Sequence, residues 1–528
     1  MRLRNKVAVV AALATLLAAC GGDDDSDDTG SAATQPAGTT GTTGTGTGTA
    51  PAAAGGTLTM SDLGTAAVSF DPGQSSFNVR NFLYPVYDPL IRRAGDGSYH
   101  PAVATEWEYT SPTEFRVVLR DDVTFPDGTA LDGEVVKANL EYAGTSTGPL
   151  ASQLAAISEV EVVSPTEVLI HLSEPVPSLP MALSSTIGLM VHPDHVGSAD
   201  LGNTPFGSGP YTLDEGRTIA NDTYVYTKRA DHWDSEHYAY ENVVVKVISD
   251  AQAVLNALRN NEVQVGSILS PRDVATAEQA GLSIQSVPYN VDGVQLYDRG
   301  GELVPALGDE RVREALNIAI DRQAIVDSIQ LGQGAPTTQL LKPGFPGYDE
   351  ALDAEYPYDV EGAKALLAEA GFADGFEFDV LSISVFDPQM QAMAAMWAEI
   401  GVTANIENVP PAQYIPSIIS GEYPAAYLPY GVVDTFFDLP QLVLPDGGFN
   451  PFHSEDPDIT ALYEQAKTVE TEEERDALYQ QINQRVVDLA WFVPIHTTPL
   501  FTAVAPGVQG VEFSVVFPQP FYDWAPAS

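Results

Sequence analysis

The residues able to do chemistry are few, and their spacing is poor for it. Cys20 is the only cysteine in 528 residues, so thiol catalysis, an intrachain disulfide and a cysteine–zinc site are all excluded. Eight histidines are scattered through the chain, and only His192-Pro193-Asp194-His195 and His232 to His237 form near pairs. Neither pair has the i,i+4 spacing that puts two imidazoles on one helical face for a metal, and Pro193 argues for a turn. Gly207-Ser208-Gly209 lacks the outer glycines of a nucleophile elbow, with Phe206 before it and Pro210 after it, and reads as a turn. No phosphate-cradling Walker or dinucleotide glycine pattern is present. Seventy-two Asp and Glu are too many for spacing to single out a catalytic pair. The expectation is a protein with no catalytic residues, no cofactor and no metal.

Those 72 acids face only 24 Lys and Arg, for a formal net charge of −48. Such a surface repels nucleic-acid phosphates and anionic membrane faces, so nucleic acid is excluded as a partner. It favours cationic or neutral partners, and a solubility or high-salt adaptation of the whole surface would produce the same excess. With 44% hydrophobic and 18% charged residues, the chain can bury a large core, and its length suggests about two to four domains.

The N-terminus explains the lone thiol. Arg2, Arg4 and Lys6 precede an apolar run from Val7 to Ala19, which is the layout of a secretory signal and is too short for a membrane span. Leu17-Ala18-Ala19-Cys20 matches the bacterial lipobox, so residues 1–20 are expected to be a lipoprotein signal peptide, with Cys20 acylated as the lipid anchor. Residues 21–56 hold an aspartate cluster and then a Gly/Thr/Ala run. That composition cannot bury a core and serves as a flexible tether. The expected location is extracytoplasmic, on the outer face of the cell membrane.

From residue 57 strand-like and helix-like segments alternate, the pattern of an α/β fold. Gly56 to Met60, Phe115 to Leu119, Val168 to Ile170 and Asn242 to Ile248 read as strands. Asp309 caps a helix with Val312, Leu316, Ala319 and Ile320 on one face, and Asp321 caps the next. Asp359 precedes Ala363, Leu366, Leu367 and Ala370, with Gly371 as the stop. Asp387-Pro388 opens a helix carrying Met390, Met393, Trp397 and Ile400, a stripe whose helical spacing assigns it to the core. Thr471 and Glu474 form a capping box ahead of Leu478, Ile482 and Leu489.

In this order the segments resemble the family 5 extracellular solute-binding proteins of ABC importers, which include peptide- and nickel-binding members. The likeness is carried by Phe70-Asp71-Pro72, Tyr87-Asp88-Pro89-Leu90, Pro101 to Trp107, Leu119 to Gly128, Phe206 to Tyr211, Asp309 to Arg322 and Asp359 to Gly371. The resemblance implies an α/β, bilobal periplasmic-binding-protein-like clamshell of class II, cluster C type. Lobe one would take residues 57–292, with an extra subdomain inserted at about 99–205 and a C-terminal return over 495–528. Lobe two would take 293–494. Binding would be hinge closure over the ligand, with the closed form delivered to ABC permease subunits and no bond broken in the ligand. The protein itself would be monomeric.

The same resemblance points to site residues. The family's peptide binders hold the ligand α-amine on an acid in a Trp-x-x-Asp segment, and the matching stretch here is Tyr430 to Asp438. Asp434 takes the acidic position, an ammonium in a water-poor cleft needing such a partner; a turn or cap aspartate is the alternative for it. Gly431 replaces the tryptophan, with Tyr430 beside it, and Asp438 lies one turn on. At the crossover Tyr297-Asp298 stands where the family has an aromatic and Asn, and Phe70 completes the expected ligand contacts. Residues 365–466 contain no Lys or Arg, which argues against a carboxylate clamp in lobe two and for a ligand with a positive or neutral end. A peptide or other amine-bearing small molecule is therefore expected. The competing readings are a surface receptor without transport and an extracytoplasmic hydrolase.

Overall fold

The computed structural model of the chain describes residues 56–64, 68–514 and 519–527. The expected signal peptide, Cys20 and the tether up to residue 55 lie outside the described residues.

The first strand, β1 (Thr57–Asp62), is followed by an antiparallel pair, β2 (Ala104–Ser111) and β3 (Glu114–Leu119). Helix α1 (Gly133–Thr145) leads to a second pair, β4 (Ile157–Ser164) and β5 (Glu167–Leu172). These four strands form a sheet of their own in the order β2-β3-β5-β4. Strand β3 alternates buried and half-buried positions, as a sheet with one face on a core requires. The chain then returns to β1 through β6 (Tyr211–Leu213), β7 (Thr223–Lys228), β8 (Asn242–Val247) and β9 (Val265–Ile268). β1 runs parallel to both β8 and β9.

Two long strands tie the halves of the molecule together. β10 (Ser283–Leu296) precedes the second lobe, which contains β11 (Phe376–Ser382), β12 (Val402–Asn408) and β13 (Ala425–Tyr427). β14 (Phe492–Val504) comes back antiparallel to β10 from Ser283↔Val504 to Gln295↔Phe492. The main sheet thus reads β12-β11-β13-β10-β14-β9-β1-β8-β7-β6, with Ala335–Pro336 pairing on β14. The expected mixed α/β clamshell, with an additional antiparallel unit in its first half, is the observed fold.

The helix signals are met in detail. Asp309, Asp321 and Asp359 accept the amides of Arg311 (3.0 Å), Ala324 (2.9 Å) and Gly362 (2.9 Å). Gly371 and Gly401 stop their helices at φ of 91° and 84°, a region where a side chain is strained. The capping box differs in one bond. Thr471 Oγ1 accepts the Glu474 amide (3.2 Å) and also donates to Glu474 Oε2 (2.9 Å), so the carboxylate meets the hydroxyl. Met390, Met393 and Trp397 are buried together, and Trp397 Nε1 donates to Leu316 O (2.9 Å).

The Gly207-Ser208-Gly209 turn is a packing device. A Cβ on Gly207 would fall 2.0 Å from Val86 O and one on Gly209 2.4 Å from the Tyr87 amide. Ser208 donates to the buried Asp88 (2.7 Å), which His232 also contacts at 3.1 Å. One apolar cluster then runs unbroken from Phe115, Val117 and Ile170 in the antiparallel unit to Leu439, Tyr463 and Ile482 in the second lobe.

Candidate functional site between the lobes

Helix α2 (Thr435–Val443) begins at the acid singled out in the sequence. Asp434 is its N-cap, accepting the Phe437 amide at 3.1 Å, which satisfies one of the donors a helix start leaves open. The cap bond engages Oδ1, and the Phe436 amide and the Ser178 hydroxyl hydrogen-bond the same carboxyl. Asp438, one turn on, accepts the Val433 amide (2.6 Å) and the Asp434 amide (2.9 Å) with Oδ2. Thr435 Oγ1 donates to Pro346 O (2.9 Å), tying the helix start to the loop that carries Lys342 and Phe345.

Both acids lie where the lobes meet. Burial lifts the Asp434 carboxyl above its ordinary range, and the Arg93 guanidinium and a Ser178 hydrogen bond pull it back. Arg93 and Ser178 both precede β6 in the first half of the chain, so lobe-one groups reach the acid across the cleft. Its charge is also felt by Tyr99 and Tyr109 on one side and by Tyr463 and Tyr479 on the other. Burial pushes the Asp438 carboxyl up to about 6, opposed by its backbone hydrogen bonds and by the Lys342 charge.

Lys342 lies outside the cation-free span 365–466, and its charge reaches Asp438. It is 2% exposed, donates to Tyr289 O, and holds Nζ 4.6 Å from the Phe345 ring centroid. Burial drops its amine to about 7, as expected for an ammonium away from water. Nothing local marks it, since one Lys in a loop carries no pattern. A longer reading frame that included residues flanking 365–466 would have put it among the candidates.

The remaining predicted contacts divide differently. Tyr430 is buried beside Asp438, its hydroxyl donating to the Asp438 carbonyl (3.2 Å). Phe70 is packed inside lobe one against Tyr224, ring centroids 6.1 Å apart. Tyr297 is likewise enclosed in the core. Asp298 is fully buried and accepts the amides of Glu302 (2.6 Å), Leu303 (2.8 Å) and Val304 (2.7 Å). Both of its oxygens are engaged in holding that turn. The structure thus brings Tyr430, Asp434 and Asp438 together and sets Phe70, Tyr297 and Asp298 in the interior. Among the described residues no group of three or more His, Cys, Asp or Glu is arranged to hold a metal ion.

Two cavities are relevant, one reaching Asp438 and one reaching Tyr289, whose carbonyl accepts from Lys342. One, of about 370 Å³, opens between the antiparallel unit and α2, with Asp438 and Tyr430 on its wall. The other, of about 100 Å³, lies at the C-terminal ends of β1 and β9, lined by Asp62, Asn81, Ser267 and Tyr289. Strand ends facing a crevice between two sheet halves are where open α/β folds bind small molecules.

A two-lobed α/β molecule with paired crossover strands and charged groups gathered between its lobes is a binding protein of the clamshell class. The chain belongs to the bacterial extracellular solute-binding proteins, family 5, whose middle region it matches over residues 98–444. It is 24% identical over 482 residues to the dipeptide-binding protein of Escherichia coli (strain K12), covering 81% of this chain and 86% of that one. It is 28% identical over 331 residues to heme-binding protein A of Haemophilus influenzae, covering 59% and 58%. Among solved structures it superposes on the ABC transporter substrate binding protein CtaP of Listeria monocytogenes with a TM-score of 0.78 at 22% identity, covering 90% and 100%. NikA of Brucella suis, in complex with Fe(III)-EDTA, gives a TM-score of 0.76 at 22% identity, covering 89% and 100%.

Proposed function

We propose that this protein is the solute-capturing component of an ABC importer, held to the outer face of the cell membrane by a lipid on Cys20. The ligand is a peptide or another amine-bearing small molecule, caught between a lobe of residues 57–292 plus 495–528 and a lobe of 293–494. The subdomain at about 99–205 belongs to the first of these. The permease subunits in the membrane receive the closed form, and the protein works as a monomer.

The observation that carries the reading is Asp434. It sits at a helix start between the lobes, with Asp438 one turn away and lobe-one side chains reaching across to it. An acid in that position gains an ammonium partner only when the lobes are together, so an amine-bearing ligand favours closure by its difference in affinity for the two states. Lys342, buried and donating to Tyr289 O, offsets the charge of Asp438 within the protein and leaves the ligand's amine as the group the site recognises. The dipeptide-binding relative is in keeping with this chemistry.

Native mass spectrometry of the purified protein tests the proposal. The expected result is a discrete excess mass that denaturation releases as peptides or amines. Release of a single ligand lacking any amine would overturn the amine reading, while turnover of added peptide by the pure protein would overturn the transport reading.

A further inference from the structure

The cavity of about 370 Å³ between the antiparallel unit and α2 is more than the acid pair needs. Leu150, Ala156 and Val176 form one wall and Phe436, Phe437 and Tyr463 the other. Phe436 and Tyr463 are stacked with centroids 5.7 Å apart and planes at 23°, and Phe437 meets Phe436 edge-on at 5.2 Å. The charges at the rim are already matched. Lys467, in the second lobe, pairs with Glu174 of the first at 3.1 Å and with Glu464 at 2.9 Å. That bridge spans the two halves at the chamber's rim, where Glu174 is exposed, and leaves little there for a further charged group to gain. Asp438 lies on the chamber wall, so atoms attached to an amine held at Asp434 and Asp438 stand at its mouth.

We infer that the captured solute carries an aromatic group next to its amine and that this chamber receives it. The inference rests on the amine reading of the site above. Walls of aromatic edges and faces welcome another ring in offset or edge-on contact, while Gln153, Gln441 and Asp438 on the same lining suit a polar backbone beside that ring. The volume is at the small end of ligand pockets, roughly 300–1,000 Å³, suited to one ring system and not to a long chain.

The test compares Ala-Ala-Ala with Phe-Ala-Ala by isothermal titration calorimetry, two probes of equal charge that differ by one phenyl. The full-length protein should bind Phe-Ala-Ala at least about tenfold more tightly. Ala155 lines the chamber and is solvent-exposed, so Ala155→Trp intrudes on the chamber without disturbing the core. This variant should keep its affinity for Ala-Ala-Ala within about threefold and lose the phenyl preference. Binding of both probes with no preference, or a preference that survives Ala155→Trp, overturns this inference and leaves the amine reading standing. Binding of neither probe overturns this inference together with the peptide form of the amine reading.

Discussion

Asp292 on β10 and His496 on β14 face one another as paired residues, at the point where the register between the two crossover strands shifts. Asp292 is 5% exposed and His496 is fully buried, and Asp292 Oδ1 and His496 Nε2 have no hydrogen-bond partner. Tyr427 donates to Asp292 Oδ2 at 3.4 Å, and the hydroxyl of Thr498 lies 3.4 Å from His496 Nδ1. Two titratable groups are therefore enclosed in the strands that join the lobes.

Burial raises the Asp292 carboxyl above its ordinary value of 3.8, opposed by His496. A raised carboxyl means that the folded protein holds a proton which the unfolded chain releases, so stability falls as pH rises from 3.8 through the folded value. Asp292→Asn removes that loss. The variant should melt at least about 2 °C higher than the parent at pH 7, with the gap closing as pH falls toward 4. Calorimetric melting from pH 4 to 8 checks this, and an unchanged or lower melting temperature at pH 7 would contradict it.

The acid pair predicts a proton count for binding. Asp438 titrates at about 6, and an ammonium held beside it requires the ionised form. Below pH 6 binding must displace a proton, so affinity for an amine ligand should fall by up to roughly tenfold per pH unit. Titration calorimetry at pH 5 in two buffers of different ionisation enthalpy reads the proton directly. Asp438→Asn should reduce the release, leaving only what Asp434 contributes, and equal heats in both buffers for the parent would sink the assignment.

Asp298 should behave as a structural residue. Its replacement by alanine orphans the Glu302, Leu303 and Val304 amides, at a cost of about 3 kcal/mol or more. The expected outcome for Asp298→Ala is a large fall in melting temperature with ligand affinity preserved in whatever remains folded at low temperature. Affinity lost without a loss of stability would return Asp298 to the binding site.

Cys20→Ser removes the only cysteine of the sequence, and with it the lipid anchor proposed above. The protein should then move from the membrane fraction to the soluble extracytoplasmic fraction. Continued membrane association after high-salt washing would point to another mode of attachment.

Much of this molecule is written locally. An aspartate before an apolar stripe and a glycine after it act over a single helical turn, which is why Asp309, Asp321, Asp359 and Gly371 were readable one by one. The lone cysteine, the charge excess and the order of segments needed no contacts either. Asp434 was singled out because a short stretch around it resembles a family motif, and the structure places it as a helix N-cap.

What lay beyond the sequence was convergence. Arg93 and Ser178 reach Asp434, and Lys342 reaches Asp438, from far along the chain, because β10 and β14 fold two lobes against each other. The burial of Phe70, Tyr297 and Asp298 followed from the same cause. Whether an aromatic or an acid faces a cleft or a core depends on the element packed over it, and that element comes from elsewhere in the chain. Capping and periodicity act through bonds a few residues long, whereas the site is assembled from pairings hundreds of residues apart, and only the tertiary structure could decide those.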